Sequence, residues 1–125
     1  MKLEFLAEGS PDCPLIRLYS FTRAEVLRLR EIVDQLVAER IQVIALHDEL
    51  GIKAIGGCHL ELRLGKRDEG VVQPAPLQLE CILSDEGWLD VSELMQPFCE
   101  TNANGFQWLV RKGPISLLLS VDGKW

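Results

Sequence analysis

Phe21-Thr22-Arg23-Ala24-Glu25-Val26 decides how the chain is read. Thr22 and Glu25 have the spacing of a capping box, in which a hydroxyl and a carboxylate satisfy amides left unpaired at a helix start. Phe21 and Val26 flank that cap as a hydrophobic staple. Val26, Leu29, Val33, Leu36 and Val37 recur at helical spacing, and Leu27 and Ile32 widen the stripe. Glu25–Arg28, Arg28–Glu31 and Arg30–Asp34 set opposite charges one turn apart. The pattern predicts a helix from Arg23 to about Glu39.

The same junction returns later in the chain. An offset of 62 lays Leu83-Ser84 on Phe21-Thr22 and Trp88 on Val26. Trp88, Val91, Met95 and Phe98 form a second stripe, Asp85 and Glu86 suit the positive end of a helix dipole, and Pro97 ends or kinks the helix near Met95. A strand precedes each helix, over Leu15 to Phe21 and over Leu77 to Leu83. After the first helix, Ile41 to Leu46 is apolar on both faces and reads as an interior strand. Lys53 to Ile55 starts another, Gly56-Gly57 suggests a bulge, and Cys58, Leu60, Leu62 and Leu64 alternate with His59, Glu61 and Arg63. After the second helix, Phe106–Val110 and Ile115–Val121 read as a hairpin. Lys2 to Leu6 reads as an edge strand, Gly65 to Gly70 as a charged turn, and Val71 to Pro76 as a linker.

The order strand, helix, strand, strand therefore occurs over 15–64 and again over 77–121. The expected fold is one α+β domain over 1–125 built as an internal repeat of two βαββ units. It has two layers, with a mixed, mostly antiparallel sheet of about seven strands and both helices on one face.

The bulk numbers narrow the partners. The 125 residues suit one domain. No apolar run approaches the ~18 residues that span a bilayer, and Glu4 interrupts any secretory leader at the start. A cytoplasmic location is expected. Cys13, Cys58, Cys81 and Cys99 are too far apart for a zinc knuckle or a C-x-x-C motif, so they read as free thiols. The net charge is −6, and no Lys or Arg occurs from Asp68 to Val110, where eight acids do. A surface so short of cations is unsuited to nucleic acid or to an anionic membrane.

No phosphate loop, dinucleotide fingerprint or nucleophile elbow is present. His59 and Glu61 share a strand face as some metal ligands do. A closed site needs more than the one further candidate, Glu80, so neither metal nor cofactor is expected. His47-Asp48-Glu49 reads as a polar loop. Trp88, Trp108 and Trp125 read as core or interface mass. The first functional reading is a non-enzymatic interaction module. Its acidic helix, bearing Asp85, Glu86, Asp90 and Glu93, would dock a basic protein partner, with self-association as a homodimer as the other outcome. The competing reading is a ligand-binding domain or small enzyme that uses a polar sheet face around His59, Glu61, Arg63 and Glu80. Gln78, Ser116 and Ser120 would share that face, and Arg17 and Tyr19 could join it.

Overall fold

Alternating apolar and polar residues place one row of side chains inward along the first two strands, β1 (Lys2–Leu6) and β2 (Leu15–Tyr19), which pair antiparallel. The capping box then forms: Glu25 N donates to Thr22 Oγ1 at 3.2 Å and Thr22 N donates to Glu25 Oε1 at 2.9 Å. Behind it α1 runs from Arg23 to Val37. Next come β3 (Val43–Ala45), a 3₁₀ turn (Leu46–Asp48), β4 (Lys53–Ala54), a second 3₁₀ turn (Ile55–Gly57), β5 (His59–Leu64), β6 (Gly70–Ala75) and β7 (Gln78–Leu83). Helix α2 (Asp85–Met95), a 3₁₀ turn holding Pro97, β8 (Phe106–Val110) and β9 (Ser116–Ser120) complete the chain. The computed structural model describes every residue, Met1 to Trp125.

The strands form two open mixed sheets, one of order β4-β1-β2-β9-β8 and one of order β3-β5-β7-β6. Each sheet joins strands from both halves of the chain by a parallel pair. β2 lies on β9 from Leu15↔Ser116 to Tyr19↔Ser120, and β5 lies on β7 from His59↔Gln78 to Leu64↔Leu83. An isolated bridge between Val71 and Ile115 ties the β6 edge to the start of the last strand.

This arrangement differs from the single sheet of about seven strands expected above. There are nine strands in two sheets, because each helix leads out of one sheet and into the other. β2 and β3 belong to different sheets, as do β7 and β8. The presumed linker at Val71–Pro76 lies almost wholly in a strand, β6. Its Pro74 is accommodated because β6 is an edge strand and the register shifts between Val72 and Ala75. The run at Ile41 to Leu46 is also not interior: only Val43–Ala45 is strand, it forms an edge, and Val43 is exposed.

One apolar core joins both sheets to both helices. Val26, Leu29 and Leu36 of α1 and Trp88, Val91 and Met95 of α2 meet Leu3, Ile16 and Leu119 of one sheet and Leu60, Leu79 and Cys81 of the other. Trp88 is wholly buried, and its indole N–H donates to the Arg63 carbonyl at 3.1 Å, which joins α2 to β5. The helices lie against one another. The buried Ser92 hydroxyl donates to Asp34 Oδ1 at 2.6 Å and accepts from Arg30 Nε at 3.1 Å.

The start of α2 has a second layer of capping. Ser84 Oγ accepts from Gly87 N at 3.1 Å, while Asp68 Oδ1 accepts from Ser84 N at 2.9 Å and from Ser84 Oγ at 2.8 Å. These bonds from the Ser84 amide and hydroxyl hold the Asp68 carboxyl below its ordinary value. A methyl group at position 87 would collide with Asp68 Oδ1 and sit 3.0 Å from Leu83 Cβ. Alanine ordinarily stabilises a helix interior by about 1 kcal/mol over glycine. Gly87→Ala is nevertheless expected to lower stability in urea unfolding by about 1 kcal/mol, the worth of a lost cap. The loss should shrink when Asp68→Ala is also present; a gain from Gly87→Ala alone contradicts this reading of the cap.

Candidate functional site

On β5 the buried residues are Leu60 and Leu62, so His59, Glu61 and Arg63 take the outer face. On β7 the buried Leu79, Cys81 and Leu83 leave Gln78 and Glu80 outward. The parallel register then sets His59 beside Gln78 and Glu61 beside Glu80. His47, in the 3₁₀ turn after β3, folds over this row. Its ring stacks on His59 with centroids 4.1 Å apart and planes 3° from parallel. His47, His59, Glu61, Gln78 and Glu80 line a concavity of about 200 Å³, with Ala45 and Leu79 beneath. Four residues of the polar-face reading, His59, Glu61, Arg63 and Glu80, therefore share one place. His47 belongs with them, although in the sequence it stood out only as a loop residue.

Charge in the concavity is unbalanced. Glu61 and Glu80 are direct cross-strand neighbours, an arrangement that like charges disfavour. The single cation is Arg63, whose Nη2 lies 3.6 Å from Glu61 and 3.9 Å from Glu80, beyond hydrogen-bonding distance. Its Nε is buried with no hydrogen-bond partner. Outside the lining, the exposed Asp48 carboxylate lies 3.7 Å from His47 Nε2. No three His, Cys, Asp or Glu residues are placed to hold a metal ion.

The four acids of α2 stand apart from this face. Asp85, Glu86, Asp90 and Glu93 are all exposed, and none lies in an ion pair. Leu89, 44% exposed, sits among them. Glu86, Leu89, Asp90 and Glu93 have the spacing of one helical stripe. The acids of α1 are matched differently. Glu25 pairs with the amino group of Met1, Glu31 with Arg28 at 3.3 Å, and Asp34 holds Ser92. Burial would raise the Glu25 carboxyl, but the Met1 amino group and the Thr22 amide outweigh it and hold it low.

Arg17 and Tyr19 belong to the other sheet, so they do not extend the histidine face. Arg17 donates to Glu4 at 2.6 Å and stacks over Tyr19 at 4.1 Å. Ser120 is fully buried; it donates to the Lys124 carbonyl at 2.7 Å and accepts from Gly123 N at 3.0 Å, a structural role. Ser116 lies beside Leu15 in the same sheet. Trp108 on β8 carries the Arg111 guanidinium at 4.1 Å, and the Trp125 indole donates to Asp12 at 3.1 Å. Trp108 and Trp125 are thus half-buried on this face, and only Trp88 is core. Burial pushes the Cys81 thiol up to about 12, with the Asp68 charge adding to it, and burial likewise raises Cys58. Neither is suited to act as a thiolate nucleophile.

Compared with protein-family models, curated proteins and solved structures, the chain shows no match.

Two backbone groups of Leu60 meet His47 Nδ1, the carbonyl at 3.3 Å and the amide at the shorter distance. The Leu60 amide, which can only donate, meets His47 Nδ1 at 3.0 Å. Nδ1 therefore accepts, and the proton of the neutral ring sits on Nε2. Long-range ¹H–¹⁵N correlation at neutral pH is expected to show His47 as the Nε2–H form. A majority of Nδ1–H contradicts the hydrogen bond.

Proposed function

We propose that this chain is a protein-interaction module that docks a basic segment of a partner on the outer stripe of α2. The observation that carries the reading is the set of four exposed carboxylates, Asp85, Glu86, Asp90 and Glu93, with no cation of the chain paired to any of them. Glu86 and Asp90 lie four apart, where like charges weaken a helix by about 0.2–0.5 kcal/mol. The free protein bears that cost, and a cationic partner removes it. Exposed Leu89 supplies apolar contact at the centre of the stripe, and buried Trp88 holds the helix rigid beneath it. A stripe on one short helix is smaller than a standard interface of about 800 Å² per partner, so association is fast and salt-sensitive. A twofold dimer through this surface would set stripe against stripe, so a basic partner is favoured over a second copy.

Immobilised protein is expected to retain basic proteins from a lysate, and to release them in about 1 M salt, where charges are screened beyond about 3 Å. The Asp85→Asn, Glu86→Gln, Asp90→Asn, Glu93→Gln variant should retain none of them. Asp90→Lys, which turns Glu86 and position 90 into an opposite-charge pair, should weaken capture while raising stability by about 0.5 kcal/mol. Equal capture by the neutralised variant, or salt-insensitive capture, removes the proposal.

A further inference from the structure

The concavity of the four-stranded sheet is a second site, separate from the α2 stripe. We infer that it binds a primary alkylammonium group, with Glu61, Glu80 and Gln78 receiving the ammonium and the His47–His59 stack walling the attached methylenes.

Charge selects the sign of the ligand. The titratable groups that line the concavity are His47 from the turn after β3, His59 and Glu61 from β5, and Glu80 from β7. Arg63 reaches to within 3.6 Å of Glu61 and 3.9 Å of Glu80 from beside it, and the exposed Asp48 carboxylate lies 3.7 Å from His47 Nε2 on its rim. Two carboxylates, Glu61 and Glu80, line it, and the one guanidinium beside them makes no hydrogen bond to either. A cation is favoured, and an anion would meet Glu61 and Glu80 directly.

Hydrogen-bond inventory selects the kind of cation. A primary ammonium carries three donors and no acceptor. Gln78 offers a carbonyl oxygen beside the carboxylates of Glu61 and Glu80, so three acceptors stand ready, and Arg63 is too distant to occupy either carboxylate fully. A bare divalent ion lacks a third ligand placed to hold it. A quaternary ammonium has no donor to offer. Size agrees: about 200 Å³ lies below the range of drug-sized pockets and suits a group of a few heavy atoms. The flat imidazole faces offer apolar contact to methylenes.

The same chemistry is carried by a free alkylamine and by a lysine side chain, and the test separates them. The chain has two histidines, both at the concavity, so their ring C–H resonances report on it without ambiguity. Titration with n-butylammonium chloride at neutral pH is expected to move both histidine signals saturably, with a dissociation constant on the order of 1 mM. n-Butanol and tetramethylammonium should produce no saturable shift. Glu80→Gln and Glu61→Gln should each weaken binding about tenfold. Nα-acetyllysine amide binding more tightly than n-butylammonium assigns the site to a lysine side chain; the reverse order assigns it to a free amine. The protein with α2 neutralised should bind as wild type, so failure here and failure of the docking stripe are distinguishable. Absence of a saturable shift with both amines, equal shifts with n-butanol, or undiminished affinity in both glutamine variants overturns the inference.

Discussion

Everything in this molecule depends on two parallel strand pairs, β2 with β9 and β5 with β7. Neither half of the chain contains a complete sheet. The opening hairpin needs the closing one beside it, and the β3–β5 pair needs the β6–β7 pair. Parallel neighbours cannot be joined by a tight turn: β6 intervenes between β5 and β7, and most of the chain lies between β2 and β9. Leu15 to Tyr19 are paired about a hundred residues downstream, a separation that makes the closure entropy large and the assembly cooperative. The helices are consequences of that exchange. Each carries the chain from one sheet to the other, and the two meet over a shared core through Asp34, Ser92 and Arg30.

That exchange also places the chemistry. The β5–β7 register brings Glu61 against Glu80 and His59 against Gln78, and the edge strand β3 delivers His47 onto His59. On the other sheet the β2–β9 pair and the strands beside it align Glu4, Arg17, Leu118 and Trp108 in one row. Carboxylates there are matched by guanidinium groups. Unpaired carboxylates remain on α2, and two more, Glu61 and Glu80, line the concavity beside the histidine stack.

Local signals were the legible part of the sequence. Thr22, Glu25 and Ser84 cap their helices because capping is decided within a few residues, and the alternation through Cys58 to Leu64 assigned the faces of β5 correctly. Partner choice was not legible. Nothing in Leu15 to Tyr19 says whether its parallel neighbour is β3 or β9, so one sheet was expected where two form. Pro74 argued against a strand, and only the edge position and register shift of β6 remove the objection. Ile41 to Leu46 is apolar enough for an interior strand, yet part of that apolar run is the 3₁₀ turn whose Leu46 enters the core. That turn is also what aims His47 at His59, a juxtaposition that spacing in the sequence does not encode.

Cutting the chain between Lys66 and Arg67, in the turn that joins the halves, tests the reciprocal pairing most directly. The fragments 1–66 and 67–125 should each lack near-ultraviolet circular dichroism and dispersed amide resonances when alone. Mixed at equal concentration, they should recover the native spectrum as a one-to-one complex. A fragment that folds by itself as a monomer contradicts the account, because it would have completed a sheet without the strands supplied by the other half.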